Sequence, residues 1–297
     1  MKIILVLAFL SPFVAAGQTV STADYHHFFQ MRDSLKTVSD SADQVAIIQR
    51  LYIDKASEGL TAFMRNKSGL DKTWLTLLRA RPAFWDSLEK ELPLVDRAAG
   101  GLDKQIKHFR SLYPALKQAR SFFLVGICQQ GGTIRGNLSL IGTEVVLSRE
   151  ARSEQQLIRM GLHEYIHTQQ SRPDFQHIDV LTSSIREGAC DFVASLVSGI
   201  LTKEPYTIYG RKHEHEVWEA FQKDMYTDKN DNWVSTGNNP ALPAPDLGYY
   251  VGYRICASYY SKAKDKTAAL KAIIELNYAD TTAVRDFLKT ANYRGGK

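Results

Sequence analysis

The sequence predicts a mainly helical α+β fold, and three observations carry that expectation. Apolar residues recur at three- and four-residue spacings through most of the 297 residues. Two β-branched and aromatic runs, 122–127 and 138–147, interrupt this pattern and are set off by Gly131-Gly132 and Gly136, so a small sheet is expected there. Directly after it comes a helix carrying His163-Glu164-Tyr165-Ile166-His167, with Leu157, Ile158, Met160, Leu162 and Ile166 building a wide apolar face.

Taken in order, Met1-Lys2, the apolar run 3–10 and the small residues Ala15-Ala16-Gly17 have the arrangement of a cleavable signal peptide over residues 1–17. The run is too short for a spanning helix, so a secreted or periplasmic protein is expected, without stable membrane insertion. No cysteine follows the run to take a lipid. Residues 18–120 read as a helical region with helices over 25–35, 42–64, 73–92 and 102–118, broken at Gly69, Pro93 and Gly100-Gly101. Val45, Ile48, Leu51, Tyr52 and Ala56 form a stripe of core spacing. Residues 121–297 hold the two strands, then helices over 154–170, 181–201, 206–226, 248–260, 263–276 and 281–293, with a polar Gly, Asn and Pro-rich loop over 228–245. This second region is expected to continue the first as one domain.

The chemistry concentrates in the five-residue motif. Histidines four apart on a helix project from one face and can share a metal ion, while Glu164 lies about 100° round the helix, placed to act as a base and not as a ligand. A catalytic zinc site needs a third protein ligand, and Glu187 offers one 20 positions after His167 on the next helical run. Asp191 lies one turn beyond Glu187 and could accept the free N–H of a ligand histidine, fixing its tautomer. A structural zinc is disfavoured because Cys128, Cys190 and Cys256 have no CxxC spacing. The three are expected as buried thiols, with the helical angle of Cys190 pointing it away from Glu187 and Asp191.

His163, Glu164 and His167 followed by Glu187 and Asp191 resemble the gluzincin metallopeptidases. The likeness extends to Glu58-Gly59-Leu60, Arg186-Glu187-Gly188-Ala189 and the run Gly248-Tyr249-Tyr250-Val251-Gly252-Tyr253-Arg254. Together these resemble a family of predicted Zn-dependent proteases, similar to the gliding-motility lipoprotein B proteins of Bacteroidetes, over roughly residues 45–290. The resemblance implies a zincin-like fold, one Zn²⁺ held by His163, His167 and Glu187, Glu164 as general base, Asp191 behind the ligands, and a peptide or protein substrate. It also implies an edge strand able to pair with an extended peptide, for which 137–146 is the candidate, a plain core strand being the other reading. Gluzincins use a tyrosine to donate to the oxyanion. Tyr249 and Tyr253 share a helix face, with Tyr253 favoured because Gly252 permits close approach, Arg254 a possible carboxylate anchor, and His213 or His215 next in line.

Other readings are bounded by composition. The net charge of +5 is modest, and no basic stripe interleaved with aromatics suggests nucleic acid. His26, His27 and His108 have no ligand spacing, and His213 and His215, two apart, diverge too far to share an ion. The rival to an enzyme is an envelope protein, akin to the gliding-motility relatives, that keeps the zinc-binding fold for binding or assembly with little or no turnover; the intact Glu164 favours the enzyme.

Overall fold

A computed structural model describes residues 19–65, 68–148, 152–235 and 242–296. The expected signal segment, 1–17, lies outside the described residues, as does part of the 228–245 loop. The fold is mainly helical α+β with one small sheet. Among the described residues no helix is long and apolar enough to cross a membrane.

Local chemistry cuts the helical region more finely than its apolar spacing suggests. The stretch expected as one helix over 42–64 is Ser41–Ile48, a π-helical turn Gln49–Ile53, and Glu58–Phe63. The break follows from Ser57, whose hydroxyl caps the third piece by accepting from the Leu60 amide while buried Asp24 accepts from both its amide and its hydroxyl. Pro82 splits the next expected helix into Leu70–Ala80 and Pro82–Glu89. Conversely, Leu92–Leu112 runs straight through Gly100-Gly101, which were expected to break it. A side chain at Gly101 would meet Ile158 Cδ1 at 2.5 Å, and one at Gly161 would meet Leu102 Cδ2 at 2.5 Å. The glycines serve the close crossing of this helix with the motif helix, Glu154–His167.

The sheet holds four strands: β1 (Val20–Ser21), β2 (Arg120–Leu124), β3 (Gly132–Arg135) and β4 (Leu138–Gly142), in the order β1-β2-β4-β3. β1 and β2, and β2 and β4, are parallel; β3 returns antiparallel on β4 through a turn in which Gly136 has φ of 59°. The expected edge strand over 137–146 is corrected here. β4 lies between β2 and β3 with Leu140 and Ile141 fully buried, and the chain from Thr143 to Val146 is a helical turn. Among the described residues the unpaired edge beside the motif helix is β3, too short and too Gly- and Arg-rich to announce itself as a strand.

Behind the motif helix, Val180–Ser198 packs against Leu247–Lys262. A Cβ on Gly252 would lie 1.8 Å from the Ser184 carbonyl oxygen, and one on Gly188 would lie 2.1 Å from the Tyr253 amide nitrogen. The two backbones therefore touch at these glycines, which fixes the helix bearing Glu187 and Asp191 against the helix bearing Tyr249. The remaining helices among the described residues are Ala23–Leu35, Pro205–Lys212, Glu214–Asp224, Asn230–Trp233, Lys266–Ile274 and Thr281–Ala291. One continuous cluster of buried side chains runs from Val20 to Tyr293.

Candidate metal centre

The motif helix starts at Ser153, whose hydroxyl accepts from the Gln156 amide. Its periodicity sets His163 and His167 on one face, with their Nε2 atoms 3.1 Å apart. The second helix is capped by the Asp179 carboxylate on the Thr182 amide and carries Glu187 opposite them. Glu187 Oε2 lies 2.9 Å from His167 Nε2 and 3.3 Å from His163 Nε2. An ion bound tetrahedrally at about 2.0–2.1 Å holds its ligand atoms about 3.3 Å apart. Two imidazole nitrogens and one carboxylate oxygen thus converge at the spacing and with the donor types that zinc takes.

The outer faces of both rings are also engaged. His163 Nδ1 lies 2.9 Å from Asp191 Oδ1, and Asp191 in turn accepts from Arg159 Nη1 at 3.2 Å and from the Tyr206 hydroxyl at 2.6 Å. His167 Nδ1 donates to Gln170 Oε1 at 2.7 Å, and Gln170 is held by its amide donating to the Arg186 carbonyl. Such partners leave each Nε2 lone pair pointing inward.

Cys190 adds a contact that the sequence did not suggest. Its helical angle places it away from Glu187 and Asp191 and foretells no contact with the histidines, but its Sγ sits 3.2 Å from His167 Nδ1, making His163, His167 and Cys190 a second candidate ligand group. We favour Glu187 over Cys190. The thiol touches the outer edge of the ring, opposite the shared Nε2 centre, and burial first, then the nearby Glu187, hold it well above its ordinary range. All three cysteines are free, Cys190 and Cys256 buried and Cys128 half-buried.

Two carboxylates of the centre are held in their charged form. Burial opposes charge on Glu187, but His167, the hydrogen bonds from both histidines and Arg186 pull its carboxyl well below the usual range. Asp191 is likewise lowered, burial being outweighed by His163, Arg159 and Tyr206. Burial opposes charge on His163 too, yet the bonds to Asp191 and Glu187 push it up to about 10. Glu164 moves the other way: burial raises its carboxyl, only partly offset by the two histidines. That is the direction a proton-carrying base requires.

Glu164 lies against the edge of the sheet. A Cβ on Gly132 would fall 2.2 Å from its Oε1, so the absence of a side chain on β3 makes room for the carboxylate. Tyr249 stacks near His163, ring centroids 6.1 Å apart, and burial followed by the charge of Glu187 keeps its hydroxyl protonated well above the usual phenol range. A cleft of about 630 Å³ opens on one side of these groups and a chamber of about 420 Å³ on the other; both are lined by Gly132, His163, Glu164 and Tyr249.

A family model described as "Predicted Zn-dependent protease (DUF2268)" matches residues 84–277, more than half of the chain. The chain belongs to this family. No curated protein and no solved structure matches it. The span shared with the family contains His163, Glu164, His167, Glu187, Asp191 and Tyr249, every residue gathered at the centre above.

Several expected residues lie elsewhere. Tyr253 faces Phe192 at 5.7 Å between ring centroids and lines a separate cavity, while Gly252, read as a site for ligand approach, is spent on the helix crossing. Arg254 pairs with Glu214 at 2.9 Å, away from the cleft. His213 and His215 pair with Glu216 and Glu219. Among residues not foreseen, Arg159 and Gln170 stand four before His163 and three after His167, a helical spacing that carries the signal. Tyr206 and Gly132 come from distant elements and leave no local trace.

Proposed function

We propose that this protein is a zinc-dependent peptidase of the gluzincin type, with His163, His167 and Glu187 as ligands. The observation that carries the reading is the convergence of three donor atoms within 3.3 Å of one another, beside a buried glutamate and an open cleft. Zinc in such a site supplies a Lewis acid for the scissile carbonyl and acidifies the attacking water. The protein's own groups do the rest. Glu164 accepts a proton from the water as its oxygen attacks the carbonyl carbon, then delivers that proton to the departing amide nitrogen as the C–N bond breaks. The Tyr249 hydroxyl donates to the oxygen that gains negative charge. Asp191, held by Arg159 and Tyr206, keeps the proton on His163 Nδ1 so that Nε2 stays a ligand. The free edge of β3 can hydrogen-bond an extended chain, drawing the scissile bond past Glu164.

The test is hydrolysis of a mixed peptide pool by zinc-loaded protein, followed with Glu164→Gln and Tyr249→Phe. Glu164→Gln should retain zinc and lose activity by orders of magnitude, since an amide accepts no proton. Tyr249→Phe should lower kcat by about 10²- to 10³-fold with zinc unchanged. Full turnover by Glu164→Gln would refute the mechanism.

A further inference from the structure

One wall of the cleft is cationic. Arg135 at the end of β3, Arg172 and Arg186 line it together with Phe175. Phe175 is 56% exposed, and the guanidinium carbons of Arg172 and Arg186 each lie 5.7 Å from its ring centroid, so one exposed ring positions two cations at the cleft mouth. Among the described residues two of the three, Arg135 and Arg172, have no carboxylate partner, while Arg186 pairs with Glu187. Arg135 donates, among the described residues, to the Thr133 hydroxyl and the Ile134 carbonyl alone, and Arg172 has no ion pair there, the neighbouring Asp174 being taken by His177. Arg186 gives Nη1 to Glu187, but its Nε is buried without a hydrogen-bond partner. The carboxylates lining the same cleft are Glu164 and Glu187, both engaged at the centre.

We propose that this wall receives a carboxylate of the peptide substrate, so that the protein selects peptides bearing an acidic side chain, or a free C-terminus, next to the scissile bond. The proposal rests on the peptidase reading above. Guanidinium groups match carboxylates by paired N–H donors, and a ring-held arginine loses less freedom on pairing than a free one. A lysine or arginine in the same place would meet like charge from Arg135 and Arg172.

The test uses zinc-loaded protein and fluorogenic octapeptides that differ at one position, Glu, Gln or Lys, each with a free or an amidated C-terminus. Glu should exceed Gln by about tenfold in kcat/KM and Lys should be poorest, with the Glu advantage shrinking in high salt and in Arg172→Gln or Arg135→Gln. If a free C-terminus is the ligand, amidation costs that factor instead, at any side chain. The same peptides are titrated onto zinc-loaded Glu164→Gln by fluorescence anisotropy, which reads the carboxylate preference without turnover. Hydrolysis or binding with no preference for either carboxylate, or a preference that both arginine variants keep, overturns the inference. A binding preference with no hydrolysis by the wild type leaves it standing and sinks the peptidase reading instead.

Discussion

Replacing Gly252 by alanine inserts one methyl group where two helices touch. The new carbon would lie 1.8 Å from the Ser184 carbonyl oxygen and 2.5 Å from its carbon, both backbone atoms that cannot rotate away. Ordinary contact needs roughly 1.5 Å more, so the Val180–Ser198 and Leu247–Lys262 helices must part by about that distance. Overpacking of this kind costs about 1–3 kcal/mol, or roughly 2–10 °C in melting temperature for a chain of this size. The consequence reaches the site, because Ser184 stands one turn before Glu187 while Tyr249 stands one turn before Gly252. Shifting Glu187 Oε2 by even part of this displacement spoils its 2.9 Å approach to His167 Nε2, so zinc affinity should fall by about tenfold or more. Differential scanning calorimetry and a competitive zinc titration measure both effects. A variant with wild-type melting temperature and wild-type zinc affinity would refute the claim that this crossing sets the ligand geometry.

Gly132→Ala should act at the opposite wall. Its methyl group meets the flexible end of Glu164, so kcat should drop about tenfold or more with zinc content and melting temperature held, and unchanged kcat would show that Glu164 works from another position. Zinc binding should release at least one proton near pH 7.5, since the His163 ring is held up to about 10 and must be neutral to ligate. Affinity should therefore rise with pH until it passes that value, and calorimetry in two buffers of different ionisation enthalpy that shows no proton release would contradict this.

Much of the centre was legible because helical spacing is rigid. His163, Glu164 and His167 lie on one helix, and the step from Glu187 to Asp191 is one turn of another, so sequence distance translates into position. What lay across elements was not. Tyr206 reaches Asp191 from a helix of its own, and nothing in its neighbours marks that contact. The glycines misled in both directions, for the same reason. Gly101 and Gly252 look like a break and a ligand contact, but each accommodates another helix whose approach is visible only in three dimensions. Helical spacing puts Tyr249 and Tyr253 on one face, yet Tyr249 lines the cleft beside the motif residues and Tyr253 lines another cavity, a difference that spacing alone does not carry.

The central claim is the identity of the ligands, and X-ray absorption at the zinc edge of the loaded protein tests it most directly. With His163, His167 and Glu187 binding, the first shell should contain only nitrogen and oxygen scatterers at about 2.0–2.1 Å, with the multiple scattering of two imidazoles. Cys190 is close enough to His167 to offer the other outcome. A sulfur scatterer at about 2.3 Å would place zinc on the thiol and contradict the account.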